Sequence, residues 1–189
     1  MIASIVLNII IFAGIIGAIL WALPKADPKR VVFRYFTVLS NLLCAASAAA
    51  VVVARIAGAL PAWVSILKYV GTCAVTVTLL TVFLFLAPSL GSFKDLLQAQ
   101  DFLLHCLCPV LAIVSYVFFD QIKMSFGFVL LGTLPVLLYG IYYLYLVVYA
   151  PQEKRWEDFY TFNRGGKWPI AFAAMVIAAF VISVVLWAV

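Results

Sequence analysis

Phe102-Leu-Leu-His-Cys-Leu-Cys-Pro-Val-Leu-Ala-Ile-Val114 is an apolar run with one ionisable side chain, His105, inside it. A run this apolar reads as part of a membrane-crossing helix. An ionisable group in a bilayer is costly, which makes His105 a candidate functional residue. It is also the only histidine among 189 residues. Working outward, five more segments have the roughly 20 apolar residues a helix needs to cross a hydrocarbon core. The spans are expected at about 2–23, 32–57, 62–87, 99–119, 127–150 and 168–189. Breaks fall at Pro24–Arg30, Gly58–Pro61, Pro88–Asp95, Asp120–Lys123 and Pro151–Lys167. The pattern predicts an all-α integral membrane protein, one domain of six transmembrane helices.

Composition agrees. The chain is 68% hydrophobic and 10% charged, with mean hydropathy +1.22. A soluble domain is nearer half apolar and a quarter charged. The net charge of +5 therefore reports orientation and headgroup contact rather than nucleic-acid binding. The first span has no Lys or Arg before it and is longer than a secretory h-region of about 7–15 residues, so it reads as a retained helix. Cys44, Cys73, Cys106 and Cys108 all fall in apolar segments and are expected as free thiols. Nine basic residues flank the odd-numbered loops (Lys25, Lys29, Arg30, Arg34, Lys94, Lys154, Arg155, Arg164, Lys167) and three the even ones (Arg55, Lys68, Lys123). The positive-inside rule then places the odd loops in the cytoplasm and both termini outside. Lys68 and Arg55 are expected to be interfacial anchors, with Lys68 snorkelling out of the third helix.

Polar residues inside the spans supply the candidates. Thr37, Ser40, Asn41, Cys44 and Ser47 recur at three- and four-residue steps and form one stripe on the second helix. Thr72, Thr76, Thr78 and Thr81 on the third helix are expected to serve packing. In the fourth helix Asp101 and His105 are four apart and share a face. A carboxylate there can fix the imidazole tautomer. Pro109 has no N–H, so the His105 carbonyl loses its helical partner and a kink is expected. Thr37 lies five residues into its expected helix and His105 six into its own, about 7–9 Å deep at 1.5 Å per residue. Both start from the odd-loop side. The fifth loop, with Trp156, Glu157, Asp158, Phe159, Tyr160 and Asn163, would cap that face. A hydroxyl, an imidazole, an acid and a polar lid at one level fit the nucleophile–base–orienter arrangement of a hydrolase. Asn41 and Ser40, or Tyr160 and Asn163, are the candidate oxyanion donors, since backbone N–H groups are occupied mid-helix. No cofactor is implied.

Phe33-Arg-Tyr-Phe-Thr-Val-Leu-Ser-Asn-Leu-Leu43, followed about 65 residues later by the His105-x-x-x-Pro109 helix, resembles the androgen-induced-gene-like membrane protein family. The fifth-loop stretch Trp156–Trp168 is similar to its bacterial branch. The resemblance covers most of the chain. It implies hydrolysis of fatty-acid esters of hydroxy fatty acids, with Thr37 as the threonine nucleophile and His105 as its base. The expected partners are a lipid ester and membrane lipids, and the expected location is a bacterial cytoplasmic membrane. Two other readings stay open. One is a metal-dependent hydrolase using His105, Asp101 and Asp158 or Glu157, although one histidine with oxygen ligands is a poor zinc set. The other is a non-enzymatic transporter or lipid-binding protein.

Overall fold

The computed structural model describes residues 1–26, 29–86 and 99–189, and among these every regular element is helical. The expected third loop, Pro88–Asp95, lies outside the described residues. Helix α1 is Ile2–Ala22, α2 is Phe36–Ile56, and α3 is Ala62–Thr81 continued by a π-turn, Val82–Leu86. Helix α4 is built from Ala99–Phe102, a π-turn Leu103–Leu107, Cys108–Ser115 and a second π-turn Tyr116–Asp120. Helix α5 opens with the 3₁₀ turn Phe126–Phe128, runs as Val129–Leu144 and closes with the π-turn Tyr145–Tyr149. Helix α6 is Trp168–Ala188. All six helices are long and apolar enough to cross a membrane, and the chain is an integral multi-pass membrane protein.

Helix α3 is the hub, packed on α2, α4, α5 and α6. Its apolar span is 61% buried against 22% for α6. The sequence explains this placement. Its hydropathy is 1.7 against 2.7 for α6, because it carries the small and hydroxylated residues that let membrane helices approach and bond. A side chain at Gly71 would place Cβ 2.9 Å from Ser47 Oγ and 3.2 Å from the Cα of Cys44, so glycine sets the α2–α3 spacing. Thr76 donates back to the Thr72 carbonyl and Thr78 to that of Ala74. The α2–α3 turn closes on Gly58, whose φ of +86° is left-handed, with Ala59 N–H returning to the Ala54 carbonyl. The four cysteines are free thiols.

Two expectations are corrected. Helix α2 starts at Phe36 rather than near residue 32. Lys29–Arg34 make a 3₁₀ segment, and Tyr35 is extended at φ −86°, ψ 133°. Tyr35 packs its ring 4.8 Å from that of Phe159. Thr37 is therefore the second residue of α2, not five residues in.

The second correction is Lys68, which does not snorkel but is fully buried. Its Nζ donates to Asn8 Oδ1 at 2.6 Å. Asn8 Nδ2 donates to Ser115 Oγ and to Asp120 Oδ2, both at 2.9 Å. Ser4 and Ser115 hydroxyls each donate to Asp120 at 2.6 Å. Arg55 completes the cluster, 3.4 Å from Asp120 and bonded to the Phe119 carbonyl. A lysine in lipid must either reach water or meet an acceptor, and Asn8 on α1 supplies the acceptor. Asp120, expected in the fourth loop, is drawn inward by the second π-turn of α4 and is also fully buried. The cluster ties α1, α2, α3 and α4 together at the even-loop face.

Candidate functional site

The odd-loop face is organised around the first turn of α2. Because Tyr35 is extended, the N–H of Phe36 points outward and donates to Tyr160 Oη at 3.0 Å. A helix N-terminus has free N–H groups and a partial positive charge. Thr37 sits within that turn. Within the turn the Phe36 N–H is taken by Tyr160, and those of Val38 and Leu39 by the Tyr35 carbonyl, so side chains remain the main candidate donors.

His105 lies in the π-turn Leu103–Leu107, where Cys108 N–H reaches the Leu103 carbonyl. Pro109 explains the turn. Lacking an N–H, it cannot bond the His105 carbonyl, and the helix widens there. Such wide turns recur at functional sites. One side chain fixes α2 against α4 at this depth. Asn41, fully buried, donates from Nδ2 to the Thr37 carbonyl at 2.8 Å and to the Leu104 carbonyl at 3.0 Å.

Thr37, His105, Asp101 and Tyr160 line one cavity of about 400 Å³, together with Lys25 and Phe159. Asp101 lies just outside the apolar span Leu103–Asp120. Burial lifts its carboxyl above the usual range, and the neighbouring His105 and Lys25 pull it back. Burial also raises the Tyr160 phenol, although the Phe36 N–H opposes the shift. The phenol therefore keeps its proton at neutral pH.

The fifth loop closes over this face on an aspartate. Asp158 accepts from Tyr143 Oη at 2.8 Å, Phe162 N–H at 3.0 Å and Asn163 N–H at 2.7 Å. Tyr143 Oη in turn accepts from Tyr160 N–H at 3.2 Å, which sets the height of Tyr160 over α2. Tyr139 Oη bonds the Arg34 carbonyl at 2.7 Å, and its ring lies 5.9 Å from that of Tyr143.

Of the sequence-derived candidates, the fold gathers Thr37, His105, Asp101 and Tyr160. The others lie elsewhere. Ser40 bonds the Thr37 carbonyl and shares a hydrogen bond with Thr78. Asn41 Nδ2 donates to the Thr37 and Leu104 carbonyls, so neither residue aims a donor into the cavity. Asp158 and Asn163 line a separate hollow with Trp156 and Arg164, and Glu157 is exposed. Among the described residues no three of His, Cys, Asp and Glu converge as a metal ligand set would require.

Sequence reasoning missed Tyr139 and Tyr143. Their four-residue spacing on one helix face, opposite an acidic and aromatic loop, was the available signal. Thr37 also borders a second, narrow space between α3, α5 and α6, walled by Phe36, Tyr139, Gly140, Tyr143 and Phe172. The threonine thus stands between a polar cavity and an apolar slot. A hydroxyl, an imidazole and a carboxyl around one cavity can carry out nucleophilic acyl transfer. The chain matches no family model, no curated protein and no solved structure.

Proposed function

We propose that the protein is an intramembrane lipid-ester hydrolase with Thr37 as nucleophile and His105 as general base. Thr37 Oγ1 attacks the ester carbonyl as His105 takes its proton. The tetrahedral intermediate then collapses, the alcohol leaves with the proton held by His105, and an acyl-threonine remains. Water, deprotonated by His105, cleaves the acyl-threonine, releasing the acid and restoring the hydroxyl. Asp101 orients the imidazole. The developing oxyanion is met by the Tyr160 phenol, whose O–H is left to donate because its oxygen accepts from the Phe36 N–H. The ester enters from the bilayer, where its chains are already dissolved. The odd loops and this site face the cytoplasm of a bacterial cell, with both termini outside.

The observation that carries this reading is that Thr37, His105, Asp101 and Tyr160 line one cavity at the odd-loop face. The resemblance of Phe33–Leu43 and His105-x-x-x-Pro109 to the androgen-induced-gene-like family supports the same pair. A rival reading is lipid binding or transport without chemistry. It draws on the fully buried Lys68 and Asp120, since buried charges also mark transport paths. Turnover of a long-chain p-nitrophenyl ester by purified protein in nanodiscs separates the two. Thr37→Ala and His105→Ala should each abolish it, with the double variant little worse than either, as for residues that act as a unit. Thr37→Ser should keep part of the rate. Near-full turnover in both alanine variants would contradict the mechanism.

A further inference from the structure

We infer that the apolar slot beside Thr37 is the acyl subsite, and that Val136 and Met175 at its floor measure the length of the acyl chain. This inference rests on the hydrolase reading. The slot and the cavity meet at Thr37 and Tyr160, which line both, and they differ in chemistry. The cavity presents Lys25, Asp101 and His105. Four of the hydroxyls around the slot are turned to other partners. The hydroxyl of Thr78 is held by Ser40, that of Tyr139 by the Arg34 carbonyl, that of Tyr143 by Asp158, and that of Tyr160 by Phe36 N–H. What these residues present to the slot is ring faces and methyl groups, a surface suited to hydrocarbon.

The ester carbon must sit at Thr37 Oγ1, so one half of the substrate extends to each side. The half that enters the slot is the acyl chain or the alcohol. The leaving oxygen must be protonated by His105, which lines the cavity and not the slot. The alcohol therefore lies on the cavity side and the acyl chain in the slot. The depth follows from α5, where Tyr143 stands at the lid and Val136 at the floor. Seven residues at 1.5 Å give about 10 Å, the reach of a medium chain and too short for a full long one; the open volume is about 60 Å³, so the lining side chains must part to admit it. Below Val136 the path is closed by a packed cluster of Val77, Val136 and Ala179, with Met175 against it.

The test uses full-length protein in nanodiscs and p-nitrophenyl butyrate, octanoate and palmitate. The wild type should favour octanoate. Val136→Phe should shift the preference toward butyrate by tenfold or more, and Met175→Ala toward palmitate. Profiles unchanged in both variants would overturn the inference. A second readout needs no turnover. Decanoic acid carrying a terminal diazirine is photolysed on Thr37→Ala protein, and the adduct is mapped. Insertion at Val136, Met175 or Val77 supports the acyl subsite even if the protein hydrolyses no ester, which would defeat the hydrolase reading alone. Insertion at Leu104 or Val32, on the cavity side, would overturn the subsite assignment while leaving hydrolysis standing.

Discussion

Replacing Asp120 with alanine should destabilise the bundle far more than replacing Lys68 with methionine. Asp120 accepts hydrogen bonds from Ser4, Asn8 and Ser115 and an ion pair from Arg55. Its loss strands these donors and leaves the fully buried Lys68 ammonium without the only carboxylate of the cluster. Removing one member of a buried charge pair costs about 3–5 kcal/mol. Lys68→Met removes a buried charge together with its desolvation penalty, and strands Asn8 Oδ1. An unsatisfied buried acceptor costs about 1–3 kcal/mol, partly offset by the relieved desolvation. The double variant Asp120→Ala/Lys68→Met should therefore lose less than the sum of the single losses. Equilibrium unfolding in mixed micelles, followed by helicity, measures all three, with the exposed Gln121→Ala as reference. An Asp120→Ala loss no larger than that of Gln121→Ala, or strict additivity in the double variant, would refute the reasoning.

Asn41→Leu removes the stitch between the Thr37 and Leu104 carbonyls. It should reduce ester turnover at least tenfold while the melting temperature in detergent falls only slightly. Gly132→Ala would place Cβ 2.6 Å from Ser183 Oγ and 2.9 Å from Cys73 Sγ. It should cost about 1–3 kcal/mol as an overpacked contact, whereas Gly17→Ala, with nothing within 4 Å, should be neutral or gain up to about 1 kcal/mol of helix propensity, and thermal unfolding compares the two. A cysteine at the exposed Gln152 should be shielded from an impermeant thiol reagent in intact cells and one at the exposed Gln121 should react; the reverse pattern would invert the topology.

How far the fold could be read from sequence depended on the type of constraint. The spans follow from length and hydropathy, properties local to each segment, so six helices were visible in the pattern. The start of α2 was not. It is set by Tyr35 turning to pack on Phe159, more than a hundred residues away, and no local propensity encodes that contact. Lys68 was misread for a similar reason. From one helix a lysine near a helix end looks free to snorkel, and only the position of Asn8 on α1 makes burial possible. That Thr37 and His105 meet at one cavity was legible because a lone histidine and a hydroxyl stripe stand out against an apolar background. Asp158 stood out equally but serves the loop, since an acid near backbone N–H groups in a turn bonds them first. Tyr139 and Tyr143 did not stand out, because aromatic residues are common in membrane helices and their role lies in hydroxyl contacts with a distant loop.

The most direct test of the central claim is labelling of the purified protein with a lipophilic fluorophosphonate, followed by mapping of the modified residue by mass spectrometry. An adduct on Thr37, lost in Thr37→Ala and strongly slowed in His105→Ala, is the predicted result. An adduct on Ser40 or another residue, or an unlabelled protein that still hydrolyses esters, would contradict it.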